Sequence, residues 1–298
     1  MMHNNFKKLI KIASKSSVPV LFYGESGTGK EVAARALHAQ SRRARGPFIA
    51  VNCGALAKNL IENLLEGSKK GVYTGSMQDH KGLVRSAHLG TLFLDEIGEM
   101  PLDLQSRLLR VIQEKAVLPI GAAHSVPVDF RLVCATHRNL KELVLQKSFR
   151  EDLFFRLHVF PIKIPALRER ESELKTIAKE LWTQIQENTE GFEYMNTDLT
   201  ESELNTLQSY EWPGNVRQLK NILERYYLLK PYGQKLKYIL EEESGFNVSP
   251  KAERVRSKPI RWDDIEEALE LYDNNKTRAA DFLGISRGSL CYQIKKHT

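Results

Sequence analysis

The sequence predicts an α/β fold with a parallel sheet, then an all-helical subdomain, then a small separate helical unit at the C-terminus. Three observations carry this. From Val18 to about Pro165, short continuously apolar runs alternate with longer stretches of helical periodicity. Such runs suit strands covered on both faces by helices. A glycine-rich turn joins the first run to the first helix, where a parallel sheet places its ligand loops. From Ser172 to about Leu229 only helical periodicity remains, and residues 244–261 then break it with Gly, Ser, Pro and scattered basic side chains. The predicted organisation is therefore 1–166 α/β, 167–243 helical, 244–261 linker and 262–298 helical.

Taken in order, Phe6 to Ile12 reads as a short basic amphipathic helix. Val18 to Tyr23 is a buried strand, and a helix runs from Lys30 to about Ala39. Phe48–Asn52, Thr91–Asp95 and Phe130–Thr136 are further strands, with helices between them. In the helical subdomain, Trp212-Pro213-Gly214 makes a helix entry and places Arg217 on the first turn.

Composition narrows the function. The chain has 298 residues, 42% hydrophobic and 27% charged, with a net charge of +7. No apolar run reaches the ~18 residues a membrane span needs, and the N-terminus lacks a signal-peptide core. Cys53, Cys134 and Cys291 are few, odd in number and far apart, which excludes a disulfide framework and fits a reducing cytoplasm. The eight histidines never fall at metal-ligand spacing, which argues against a metalloenzyme.

The glycine-rich turn, Gly24-Glu25-Ser26-Gly27-Thr28-Gly29-Lys30, has the spacing of a phosphate loop and sits between a strand and a helix. Its glycines let backbone N–H groups curl around phosphate oxygens, the helix N-terminus adds positive potential, and Lys30 reaches the β and γ phosphates. Glu31 stands where a Ser or Thr usually holds magnesium. About 65 residues on, Gly90-Thr91-Leu92-Phe93-Leu94 ends in Asp95-Glu96. Two carboxylates at the end of a buried strand are costly without a purpose. Asp95 is placed to orient magnesium through its water, and Glu96 to polarise the attacking water. ATP with Mg2+ is the expected cofactor pair, and the runs Gly24–Glu31 and Gly90–Glu96 the expected nucleotide site.

These two motifs resemble those of the bacterial enhancer-binding activators of sigma-54 RNA polymerase, which are AAA+ ATPases. In that family Glu commonly follows the loop lysine. Between the motifs, Gly71-Val72-Tyr73-Thr74-Gly75-Ser76 resembles the GAFTGA loop that touches the sigma factor, with Val, Tyr and Ser replacing Ala, Phe and Ala; Tyr keeps an aromatic contact surface. The resemblance implies further roles. Asn52 matches the residue linking Glu96 to nucleotide state, Thr136 and His137 match the first sensor, and Arg217 lies in the second-sensor segment, which joins it to the nucleotide site at the γ-phosphate. Phe149 to Arg156 resembles the arginine-finger segment, with Arg150 and Arg156 as candidates. On one ideal helix these two side chains would stand ~120° apart. A guanidinium supplied by a neighbour implies a homo-oligomer, by resemblance a hexameric ring.

At the C-terminus, Ala279, Ala280 and Leu283 form one tight apolar face, Gly284 permits a turn and Ser286 is a good helix cap. This is a helix-turn-helix, similar to the Fis-type DNA-binding domain of the same activators. Its second helix would enter the major groove of double-stranded DNA at an enhancer site, with Thr277, Ser286, Arg287, Ser289, Tyr292, Gln293 and Lys296 as contacts. The function so predicted is ATP-driven remodelling of sigma-54 RNA polymerase; the alternative is a DNA-binding regulator that uses nucleotide as a switch. Family members usually carry a sensing domain before the ATPase. Here regulation is expected from a separate protein, unless the sequence is truncated.

Charge is segregated at this end. Residues 250–261 carry +4, residues 262–275 carry −6 and residues 276–298 carry +4. The salt dependence of DNA affinity is therefore expected to follow Arg287, Lys295, Lys296 and the linker, each phosphate contact adding about one to the log–log slope. An unchanged slope after neutralising them would misplace the contact surface.

Overall fold

In a computed structural model of the chain, the described residues are 5–55, 65–69, 80–189 and 197–246, with Trp262, Ile265, Leu269, Lys276 and Leu290. They fall into two units, Met1–Glu242 and Glu243–Thr298. In the second unit the five isolated residues are helical, and Ile265 and Leu290 are buried. Arg287 and the other proposed DNA contacts lie outside the described residues, as does the whole segment Gly71–Ser76.

The first unit opens with α1 (Asn5–Ser14), whose Phe6, Leu9, Ile10 and Ala13 all turn to the sheet. β1 (Val20–Tyr23), β2 (Phe48–Asn52), β3 (Thr91–Asp95), β6 (Arg131–Thr136) and β7 (Phe160–Lys163) form one sheet in the order β2-β3-β6-β1-β7. All of its pairings are parallel. Side chains alternate across it. Leu21, Leu92, Leu94, Leu132 and Cys134 enter the core on one face, and Val20, Phe22, Phe93, Val133 and Ala135 enter the core on the other. That two-sided burial is the reason these strands read as unbroken apolar runs.

α2 (Lys30–Ala39) covers the second face with α1. The other face is covered by α4 (Leu102–Glu114), α5 (Leu140–Leu145) and α6 (Glu151–Leu157), with the one-turn α3 (Leu83–Ser86) alongside. Because all strands run the same way, Tyr23, Asn52, Asp95, Thr136 and Lys163 end on one edge. Ligands of open parallel sheets bind outside this edge.

Two features were not predicted. β7 contains Pro161, which argues against a strand in sequence; it survives because β7 is an edge strand paired only with β1. The two-residue strands β4 (Ala116–Val117) and β5 (Val126–Pro127) make a small antiparallel pair too short to show periodicity.

The helical subdomain comprises α7 (Glu171–Asn188), α8 (Glu201–Gln208), α9 (Asn215–Leu229) and α10 (Leu236–Phe246). α10 runs past Ser244, where the linker is expected to begin. Trp182, Leu204, Leu207, Trp212, Leu219 and Tyr227 form its centre, each 1% exposed or less. Both indole N–H groups are satisfied by main-chain carbonyls, Trp182 by Thr197 and Trp212 by Leu207, at 2.8 Å each. Thr200 and Glu203 close a reciprocal capping box at the start of α8.

Candidate functional site

The phosphate loop follows β1 and ends at α2, as its spacing requires. Gly27 and Gly29 have φ of +76° and +94°, in the left-handed region that favours glycine. A β-carbon on Gly27 would also fall 2.4 Å from the Gly214 carbonyl oxygen, because the helical subdomain packs against the loop here. Thr28 is buried and donates its hydroxyl to the Glu25 carbonyl. Lys30, 6% exposed, turns back into the loop and donates to the carbonyls of Gly24 and Glu25 at 3.0 Å each. Burial lowers its pKa, while Glu96 and Asp95 raise it; the three side chains share one electrostatic site. Glu31 faces solvent and pairs with Arg35 one turn along α2.

In the run Gly90 to Glu96, only the last two residues face this site, which narrows the expectation from sequence. Leu92, Phe93 and Leu94 are core side chains, and Thr91 is buried at the far end of β3, bonded to His38 at 2.9 Å. A five-residue strand spans ~13 Å, so its first residues are too distant. Gly90 is needed instead for close approach, since a β-carbon there would sit 2.0 Å from the Pro47 carbonyl oxygen. Asp95 accepts the backbone N–H of Glu96 at 2.9 Å. Its pKa is raised, first by burial and then by the neighbouring Glu96 carboxylate. Glu96 itself has φ +51°, a left-handed conformation that turns its side chain off the strand.

There His137 meets it. The His137 Nδ1 lies 2.6 Å from the Glu96 Oε2. Asn52 stands beside Asp95 in register, but its carboxamide oxygen accepts from Gly54 at 2.9 Å. In this state it is His137, not Asn52, that holds Glu96. Thr136 is buried and its hydroxyl accepts the backbone N–H of Arg138 at 3.0 Å, which shapes the turn presenting His137.

The helical subdomain closes the loop from the other side. Val216 and Arg217 donate their backbone N–H groups to the Gly27 carbonyl at 2.9 and 3.3 Å. The Arg217 guanidinium donates to the Ser26 hydroxyl at 3.1 Å. Three further residues join here that sequence reasoning missed. Asn215, fully buried, accepts from Leu167 N–H at 2.8 Å and donates to the Glu25 carboxylate at 3.1 Å and the Ser26 carbonyl at 3.0 Å. Arg168 forms a two-pronged pair with Glu25, and Arg170 donates to the Thr28 carbonyl at 3.0 Å. The one signal for them was position: Leu167-Arg168-Glu169-Arg170 follows the sheet directly, where a chain re-enters its ligand edge. Beside the loop opens a cavity of about 570 Å3, bordered by Gly24, Glu25, His137, Phe154, His158 and Glu169.

The Arg168 guanidinium holds Glu25 at a pKa of about 2. A carboxylate with a depressed folded pKa adds stability above its unfolded value of 4.5 and loses it as pH falls toward 2. Both side chains are nearly half exposed, so solvent screens the contribution. The expected result is a small excess stability of wild type over Glu25→Gln at pH 7 that shrinks between pH ~4.5 and ~2. Urea unfolding at several pH values measures it, and a gap that widens in acid would contradict the assignment.

Arg150 and Arg156 are not on one continuous helix. Arg150 is the extended cap before α6, so the separation expected on an ideal helix does not apply. It pairs with Asp152 at 2.7 Å and donates to the Ser106 hydroxyl at 3.1 Å. Arg156 is exposed on the last turn of α6, beside Phe155, which is 65% exposed. Among the described residues neither hydrogen-bonds to the phosphate loop.

The parallel sheet, the phosphate loop, the acidic end of β3 and a helical lid docked on the loop define a P-loop nucleotide-binding fold of the AAA+ type. Residues 1–163 match the model of the Sigma-54 interaction domain, residues 168–243 the AAA+ ATPase lid domain, and residues 264–297 the Bacterial regulatory protein, Fis family. The chain belongs to the sigma-54 interaction domain family. The nitrogen fixation protein VnfA of Azotobacter vinelandii is 40% identical over 296 residues, which cover 97% of this chain and 56% of VnfA. The regulatory protein AtoC of Escherichia coli K12 is 39% identical over 302 residues, covering 98% and 65%. This chain thus spans between half and two thirds of those relatives' length. Among solved structures, NtrX from Brucella abortus superposes with a TM-score of 0.72 at 28% identity, covering 99% of this chain and 68% of that chain. NtrX in complex with ATP gives 0.69 at 28% identity, covering 98% and 67%.

Proposed function

We propose that this chain hydrolyses ATP and uses the energy to remodel sigma-54 RNA polymerase from an upstream DNA site, opening the promoter. The observation that carries this reading is the convergence of Lys30, Asp95, Glu96 and the lid's Arg217 on one loop, in a chain whose three segments match an interaction domain, a lid and a DNA-binding module.

The residues divide the work as their chemistry allows. Backbone N–H groups of Gly27 to Lys30 and the start of α2 bind phosphate oxygens. Lys30 exchanges its two carbonyl acceptors for the β and γ phosphates. The donor set at the end of β3, two carboxylates close to the lysine, suits a hard oxygen-seeking cation, and Asp95 is the residue that would hold Mg2+ there. When bound, Mg2+ neutralises the phosphate charge that builds during transfer. Glu96 orients and deprotonates the attacking water, and His137 holds the carboxylate until nucleotide draws it forward. Arg217 leaves Ser26 for the γ-phosphate, so the lid's position reports whether that phosphate is present.

Arg150 and Arg156 act on the nucleotide of a neighbouring copy. Neither makes a hydrogen bond to its own loop among the described residues, and Arg150 is occupied by Asp152, which suits groups delivered across an interface. A ring, by resemblance hexameric, follows, and turnover per protomer is expected to fall steeply on dilution through the assembly range. Turnover that stays flat far below that range would refute delivery from a neighbour. Gly71 to Ser76 contacts the sigma factor, and the C-terminal unit anchors the assembly to DNA. The site of action is the cytoplasm, where the DNA and the polymerase are met; no described helix is long and apolar enough to cross a membrane.

Transcription from a sigma-54 promoter in vitro tests the reading. The wild type is expected to support ATP-dependent transcripts and Glu96→Ala none. No ATP-dependent transcript from the wild type would leave only a nucleotide-switched DNA binder.

A further inference from the structure

We propose that a cavity at the amino ends of the strands, on the opposite edge of the sheet from the phosphate loop, binds a small phosphate-bearing anion through Arg131, Arg43, Arg42 and Lys15. Arg131 opens β6 and is 1% exposed. Its guanidinium makes one hydrogen bond among the described residues, from Nη2 to the Ala13 carbonyl at 2.8 Å. Its Nε and Nη1 are buried without a partner. Among the described residues no carboxylate pairs with it, and the charge that acts on it is a second cation, Arg43. A buried guanidinium in that condition is costly, and an anion accepting from it removes the cost.

The surroundings complete a site for such an anion. Arg131 lines a cavity of about 420 Å3 together with Arg43, Arg42, Lys15 and several serines between Ser14 and Ser41. One carboxylate is present, Asp129, and Arg43 already engages it at 2.7 Å. Four cations thus face one acid. The helices α1 and α2 both end here, and their C-terminal carbonyls offset part of that charge. The Ala13 carbonyl is among them and is already taken by Arg131. A phosphate group supplies several acceptor oxygens within one small volume, and planar guanidinium groups match its geometry. The volume admits a phosphate or a small phosphate monoester rather than a nucleic-acid strand.

The cavity also has a route to the rest of the molecule. β6 carries Arg131 at one end and Thr136 at the other, five residues away, with His137 following. An occupant fixes the amino end of the strand whose carboxyl end presents His137 to Glu96.

The experiment uses inorganic phosphate with the 298-residue chain carrying Lys30→Ala, so that the loop's own phosphate affinity is weakened. Calorimetry at constant ionic strength, maintained with chloride, is expected to show saturable binding. Adding Arg42→Gln and Lys15→Gln, both on the exposed rim, is expected to weaken it about tenfold or more, the scale of a lost charge-assisted hydrogen bond. An unchanged melting temperature without phosphate shows that these rim variants still fold. In parallel, the Arg131 Nε resonance in 15N NMR is expected to shift on addition of phosphate. No saturable binding overturns the proposal. So does binding that the rim substitutions leave unchanged, which would belong to the phosphate loop.

Discussion

Glu96→Gln is expected to lower ATP turnover at least a hundredfold while leaving nucleotide affinity within about threefold, because a general base contributes on the order of 10²–10⁴ in rate and little to ground-state binding. The substitution keeps the size of the side chain and removes its ability to take a proton. Glu96 suits that part for reasons visible in the backbone. It follows the last residue of β3 in a left-handed conformation, so its carboxylate leaves the strand direction while Asp95 stays in line with it. Asp95 accepts the Glu96 N–H, which fixes the divergence of the two carboxylates. His137 then holds Glu96 from the neighbouring strand end. A phosphate-release assay and a fluorescent-nucleotide titration read the two halves of the expectation. Turnover within tenfold of wild type would assign the water-activating role elsewhere. His137→Ala tests the second layer: it removes the tether and is expected to change the nucleotide dependence of turnover, with His137→Asn restoring a donor at the same place.

The second large effect concerns stability. Asn215→Ala is expected to destabilise the first unit by about 3 kcal/mol, combining ~1–3 kcal/mol for a buried donor left unpaired with ~1 kcal/mol for alanine in a left-handed conformation. Asn215 is fully buried at φ +53°, and its carboxamide is the sole acceptor shown for the Leu167 N–H while its two donors reach the phosphate loop. One side chain therefore joins the exit from the sheet, the loop and the first turn of the lid helix. Asn215→Gly separates the two terms, since glycine tolerates the backbone but offers no acceptor; it is expected to recover about 1 kcal/mol of the loss. Urea unfolding followed by tryptophan fluorescence measures both, with Trp182 and Trp212 buried in the lid core. Equal stability of wild type and Asn215→Ala would mean that the lid does not depend on this link.

What could be read from the sequence was what depends on neighbours in the chain. The strand Phe48–Asn52, the strand Thr91–Asp95 and the helix Lys30–Ala39 have the bounds their patterns predict, since an apolar run between two breakers is local information. The loop spacing and the paired carboxylates were legible for the same reason. The contacts that join them are long-range. His137 lies 41 residues from Glu96, and Asn215 lies 190 from Glu25. Nothing in an isolated Asn after Pro-Gly distinguishes a lid anchor from a helix-entry residue. Arg168 and Arg170 look like ordinary charges of a helix-rich segment, and Pro161 hides an edge strand. In the opposite direction, the run Gly90 to Leu94 shows how a motif spreads a role over residues that only build its strand.

Hydrolysis-driven promoter opening is read most directly from the chemical reactivity of unpaired thymines at a sigma-54 promoter, probed with holoenzyme and this protein. Strong reactivity is expected with hydrolysable ATP, none with a non-hydrolysable analogue, none with Glu96→Gln, and loss with Tyr73→Ala despite continued ATP turnover. Equal reactivity with the analogue, or opening that survives both substitutions, would contradict a hydrolysis-driven remodeller acting through that loop.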